Sequence, residues 1–464
     1  MTSKNYLVLA VAGLLAISGA ALAETYGPFP VTVKGYSGDK SDSTSYTGQA
    51  ARQVLHNSLK KLAGQGDGSN TAEIKSQMMA YYAGKEEGRA ILDPQSKGDF
   101  VILQTEVDQI SKGNDLKGKT YKGVVNGWPG KMTGAEVIEF MIGKAAAAKG
   151  GFDPLTGYDY PQLISKFAMG AVFYNQAVDN YLDEKLSADN KPNSEPYSEG
   201  KHYTGKEHSW DEAFGYFGAP AHALGLDAKQ TYGIAKKKDI GVADHDKDGK
   251  VDLYREMTYA HAYYAADADK SGTNYLHAIF QAFLDGRKLI SDAEGEALSD
   301  AQRAQLIGYA DTIKTNWEKV IAEAAFKYAG SVYKDLEKLQ IIVESDGDAN
   351  DAFRAYGKHW GELKGFAMAL EAGGKDLGEV GVRMNRLIGY GPVLLGGGQV
   401  TGIDASGNYV IGGNQDMGNY MVHMLKVQKL LAEAFGLSAR KNDATAELED
   451  LIESLGESIA VEND

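Results

Sequence analysis

A mainly α-helical bundle is the fold class that the sequence predicts, on three observations. Apolar residues recur at helical spacing, capping residues stand directly ahead of several of these stretches, and glycine or proline marks their ends. The strongest stripe is Leu163, Phe167, Ala171, Tyr174, Val178 and Tyr181, opened by Pro161 at a first-turn position, where its missing N–H costs nothing.

Taken in order, residues 24–45 read as an extended segment, because Pro28, Pro30 and a polar run oppose a helix. Ala50, Val54, Leu55, Leu59 and Leu62 then share one helical face, which the glycines of 64–68 terminate. Asn70 with Glu73, and Thr133 with Glu136, have the spacing of capping boxes for helices that stop at Gly84 and Gly150. Residues 85–130 between them are irregular by pattern. A polar linker holding Pro192 and Pro196 precedes a helix over 204–217, and further helices are expected over 273–290, 299–341, 351–372, 417–435 and 445–458. The third of these is long enough to lie along a bundle or to kink near Gly308. Within the glycine-rich residues 389–413, Gln399-Val400-Thr401 and Tyr409-Val410-Ile411 flank a turn and predict a small hairpin or ordered loop. Residues 46–464 are thus one helical domain, with 46–240 and 241–464 as its halves if it is built of two.

The first 23 residues have the layout of a cleaved secretory signal: Lys4, an apolar run over 7–17, and Ala21-Leu22-Ala23 ahead of Glu24. The expected location is the periplasm or another extracytoplasmic space. No later segment has the run of ~20 apolar residues that a spanning helix needs, so the processed chain is not expected to be transmembrane. There is no cysteine, which removes disulfides and thiol nucleophiles together. The formal charge of −15 becomes −16 when Lys4 leaves with the signal, and this acidity excludes nucleic acid as an expected partner. The 27 tyrosines recur inside apolar faces, where a ring is buried and its hydroxyl kept wet.

The sharpest motif is Asp244-His245-Asp246-Lys247-Asp248-Gly249-Lys250-Val251-Asp252. In an EF-hand-like loop, side-chain oxygens come from positions one, three, five and nine, a backbone carbonyl from seven, and glycine at six allows the turn. Asp244, Asp246, Asp248 and Asp252 fill the side-chain positions, Lys250 the carbonyl position and Gly249 the turn. Calcium is the ion this pattern suits. The bidentate acid of position twelve is replaced by Arg255, with Glu256 one residue later. A weaker echo at Asp267-Ala268-Asp269-Lys270-Ser271-Gly272 reads as a helix-breaking turn.

Two further stretches resemble each other, His208-Ser209-Trp210-Asp211-Glu212 and His359-Trp360-Gly361-Glu362. On a helix, His208 and Glu212 lie one turn apart, as do His359 and Glu362, so each pair could ligate iron or another transition metal, or exchange a proton. Glu207 and Asp211 could add oxygens to the first pair, and two packed helices could bring both pairs to one pocket. For either pair, a histidine simply hydrogen-bonded to its carboxylate fits the pattern equally well.

Gly357-Lys358-His359-Trp360-Gly361-Glu362 resembles the Gly-x-His-x-x-Glu signature of imelysin-like proteins, exported helical proteins linked to iron acquisition and once described as peptidases. More of the chain resembles the exported family called domain of unknown function 4856. That likeness is carried in order by residues 45–52, Met169-Gly170-Ala171, Glu207-His208 through Gly218, the Asp-rich loop, Phe283-Leu284-Asp285-Gly286-Arg287 and His359-Trp360. The resemblance implies helical bundles and a metal role. The functional expectation is therefore a periplasmic metal-binding protein, an accessory in iron or other metal acquisition that captures a metal ion or metal complex and carries a structural calcium. A metal-dependent hydrolase with Glu212 or Glu362 as base, and a non-catalytic calcium-stabilised interaction protein, are the alternatives. No His-Glu-x-x-His helix, Gly-x-Ser-x-Gly elbow or phosphate loop is present, so no catalytic residue is assigned.

Overall fold

The computed structural model describes residues 24–187 and 190–455; the expected signal peptide lies outside the described residues. Fourteen α-helices and two small antiparallel hairpins make up the regular structure of those residues. The first half holds α1 (Thr47–Ala63), α2 (Thr71–Tyr82), α3 (Gly134–Ala147), α4 (Tyr160–Ala168), α5 (Gly205–Phe217) and α6 (Ala228–Ala235). After the single turn α7 (Ile240–Ala243) come α8 (Ala260–Asp269), α9 (Tyr275–Asp292), α10 (Asp300–Glu344), α11 (Asn350–Glu371), α12 (Gly378–Ile388), α13 (Met417–Phe435) and α14 (Leu448–Leu455). Residues 24–45 form neither helix nor strand, as their prolines require.

Local chemistry accounts for several helix starts. Thr133 and Thr204 each accept a hydrogen bond from the backbone N–H three residues on, and Glu136 and Glu207 return it, so both helices start with a complete capping box. Asn70 makes no such bond, because its side-chain oxygen accepts from the Asp67 N–H instead. α10 runs 45 residues without a break at Gly308 and serves as the central post against which α8, α9, α11 and α13 pack.

The stripe that opens at Pro161 is buried throughout, but only its first part is α-helical. Over Met169–Tyr174 and Gln176–Tyr181 the chain widens into π-helix, a form uncommon enough to mark a functional neighbourhood. Gly170 faces Ala369 of α11 so closely that a Cβ there would overlap the facing backbone. One connected apolar core extends from Tyr26 to Ala444, and α4 packs on α11 across residue 240. The expected hairpin is present, with β3 (Gln399–Ile403) pairing β4 (Tyr409–Gly412) around the 404–408 turn, and β1 (Phe152–Asp153) pairs β2 (Tyr158–Asp159) in a second that the sequence pattern does not announce. Among the described residues no helix is long and apolar enough to cross a membrane.

Candidate metal loop and basic pocket

The acidic loop follows α7 and is drawn tight by two left-handed residues, Lys247 at φ 64° and Gly249 at φ 86°. The carboxylate of Asp244 accepts the N–H of Gly249 at 2.9 Å and of Asp248 at 3.2 Å, and Asp246 also accepts from Asp248. Glu256, half a turn beyond the loop, folds back over it: one oxygen accepts from the His245 N–H at 2.7 Å and the other from Asp252 at 2.8 Å. Asp244, Asp246 and Glu256 thereby offer one oxygen each within 4.8 Å of one another. Burial raises the pKa of Glu256, the expected response of a carboxyl packed among other acids.

Asp248 and Asp252 stand outside this group of three. Asp248 accepts from the Lys250 N–H at 2.8 Å, while Asp252 accepts from Gln104 Nε2 at 2.6 Å and from Tyr254 N. Arg255, at position twelve, turns away to Asp42 at 2.7 Å. The loop is also a junction. Val251 exchanges backbone hydrogen bonds with residues 101 and 103, Arg255 O accepts from Ala221 N, and Ala221 O accepts from Tyr26 N.

The two histidine pairs stand in different surroundings. α5 packs on α9 and α1, whereas α11 packs on α10 and α4. His208 lies face to face with Tyr203 and edge-on to Tyr197, with Nε2 3.7 Å from Glu212. Burial lowers its pKa and favours the neutral imidazole. The oxygens that Glu207 and Asp211 were expected to add are committed elsewhere. Arg287, wholly buried, donates to Asp211 at 2.9 Å, to Glu207 at 3.0 Å and to Ser43 Oγ at 2.7 Å. Tyr26 Oη and Ser45 N also donate to Asp211, and Thr32 Oγ1 to Glu207, so this buried cluster anchors the N-terminal segment. His359 and Glu362 diverge as well. His359 Nδ1 meets Asp335 of α10 at 2.6 Å, while Glu362 turns inward to Lys166 Nζ at 3.9 Å.

Around Glu212 the structure assembles a group that spacing does not reveal. Gln49 Nε2 donates to Glu212 at 2.7 Å, Lys119 Nζ lies 3.4 Å from Tyr181 Oη, and Lys185 Nζ sits 4.2 Å above the Tyr181 ring. Arg52 reaches the same neighbourhood from α1, its guanidinium held by the carbonyls of Asp115 and Gly48. Arg52 belongs to the 45–52 stretch that carries the family likeness, but lysines in irregular segments give no signal, since most are solvated.

A helical bundle with an acidic turn, a buried arginine cluster and a group of basic side chains around Tyr181 defines the class of this protein. The chain belongs to the family whose model is described as Domain of unknown function (DUF4856), which matches residues 145–377. The matched span contains His208, Glu212, the acidic loop, Arg287, His359 and Glu362, but not Gln49, Arg52 or Lys119. No curated protein and no solved structure matches the chain.

Proposed function

We propose that this is an extracytoplasmic metal-binding protein in which calcium braces the acidic loop, and that the ion is structural. The observation that carries the reading is the convergence of Asp244, Asp246 and Glu256 on a turn tightened by Gly249. Glu256 takes over the role of the missing position-twelve acid, the extra residue being absorbed where Arg255 turns to Asp42. A cation there removes the mutual repulsion of the three carboxylates. It also stiffens the junction of the 100–104 segment, the 219–223 turn and the N-terminal segment. The expected export signal fits this role, because calcium is abundant outside the cytoplasm.

The loop is favoured over the histidine pairs as the metal centre on chemical grounds. His208 and Glu212 supply two ligand atoms beside Lys119, Lys185 and Arg52, whose positive charge disfavours a cation. His359 and Glu362 point to different partners. The test is elemental analysis of protein purified without chelator, together with thermal unfolding with and without calcium. One calcium per chain is expected, with stabilisation of about 2.7 kcal/mol at a hundredfold excess over Kd. Asp244→Asn and Glu256→Gln should abolish that gain. A chain without calcium, or one equally stabilised in both variants, overturns the reading. Stoichiometric iron, zinc or copper lost in His208→Ala or His359→Ala would restore the histidine pairs and a role in metal acquisition.

A further inference from the structure

We infer that the cluster of Lys119, Lys185 and Arg52 around Tyr181 is a binding site for a small multivalent oxyanion bearing phosphate or carboxylate groups. The site lies where the end of the π-helical stretch, α5, α1 and the turn at Lys117–Lys119 meet. Tyr181 and Tyr216 are buried beneath the cations, with their rings stacked 6.1 Å apart.

The charge balance points to an anion. Lys119 and Lys185 approach the same tyrosine from two sides, one at the hydroxyl and one over the ring, and neither makes an ion pair among the described residues. Arg52 spends its hydrogen bonds on neutral carbonyls. The nearby acid Asp115 is 3.0 Å from Lys85. The charges that act on the two amines are those of Arg52, Lys85 and Lys191 against Glu212, Asp115 and Glu184, so with Lys119 and Lys185 themselves five cations face three carboxylates, and Glu212 already accepts from Gln49. The buried amines of Lys206 and Lys364 also have no carboxylate, but they donate to backbone carbonyls, whereas Lys119 has only the Tyr181 hydroxyl and Lys185 only the Tyr181 ring. Burial lowers the pKa of both amines; the charge of Arg52 adds to this at Lys119, and the charge of Lys119 adds to it at Lys185. A bound oxyanion removes that cost by accepting from both amines at once, and the guanidinium adds long-range attraction. Lys191, with Nζ 4.1 Å above the Tyr197 ring beside His208, adds to the same positive field.

The inference is independent of the calcium loop. Inorganic phosphate and succinate are titrated separately into the full processed chain by calorimetry at low and physiological salt, with and without calcium. Saturable binding of one probe is expected, weaker at the higher salt because surface-accessible charges are screened. It should fall at least tenfold in the Lys119→Ala/Lys185→Ala double variant, be retained in Lys119→Arg, and be unchanged in Lys338→Ala on the exposed face of α10. The phosphate and succinate arms identify which oxyanion the site prefers. Absence of saturable binding to both, or an affinity that the double variant leaves intact while circular dichroism shows it folded, overturns the proposal. Binding should be the same with and without calcium, and dependence on calcium would overturn the independence of the two sites.

Discussion

Replacing Arg287 by methionine keeps the bulk of the side chain and deletes its charge, leaving Glu207 and Asp211 as buried carboxylates without a cation. Both acids and the arginine are fully shielded from solvent, with contacts of 2.9 and 3.0 Å. Breaking such a pair by removing one partner costs about 3–5 kcal/mol. The loss should depend on pH in a defined direction. Burial already pushes the Asp211 carboxyl up to about 6, with Arg287 as the main influence holding it down. Without Arg287 it rises further. A carboxyl raised in the fold destabilises once pH exceeds its unfolded value, and the penalty stops growing above its folded pKa. The variant's penalty therefore keeps growing above pH 6, where that of the natural protein has levelled off. Urea unfolding followed by circular dichroism should show the full difference near pH 8 and a smaller one near pH 6. Because Tyr26, Thr32, Ser43 and Ser45 all bond to this cluster, the variant should also be cut faster by proteases within residues 24–45. A loss below about 1 kcal/mol, or one equal at both pH values, would refute the argument that the cluster is a tightly coupled ionic anchor.

Other outcomes are open to direct measurement. Lys364 is buried and donates to Gly389 O, and burial lowers its pKa to about 7; the unfolded chain holds that proton up to the ordinary lysine range, so stability should rise with pH between about 7 and 10, and Lys364→Met should flatten that slope in pH-dependent denaturation. His56 and His222 are held neutral down to about 4 and His261 down to about 3; each contributes stability that is lost as pH falls from 6.5 towards those values, so acid unfolding should set in above pH 4, and His261→Phe should shift its midpoint downward. Gly286→Ala places a methyl into the Trp210 ring, whose Nε1 donates to Phe283 O at 2.8 Å; overpacking should cost about 1–3 kcal/mol and change tryptophan emission.

What the sequence made legible was local. Thr133 and Thr204 cap helices because the bond they accept comes from three residues away, and the hairpin around Asp404 is fixed by its own turn. α8 escapes a periodicity search because Tyr263 and Tyr264 are adjacent and alanines surround them, leaving no single apolar face. The π-helical widening is equally hidden, since spacings of three and four residues suit both helix types. In the acidic loop, the glycine and first two aspartates were readable, but the third member, Glu256, lies one residue beyond the expected position. Only the bend of Arg255 towards Asp42, a contact across the chain, makes that shift intelligible. Arg287 and its carboxylates illustrate the same limit: nothing within several residues of Glu207 indicates that a guanidinium 80 positions later will claim it.

That anchor also orders assembly in time. Ser43 meets Arg287 across 244 residues, so the 24–45 segment, synthesised long before α9, has no complete docking site until α9 has formed. Closing so long a loop carries an entropic cost that the local helices do not bear, which places this step late in folding. A chain threaded amino end first through a narrow passage would carry its own unfinished keystone across, and could lock only on the far side.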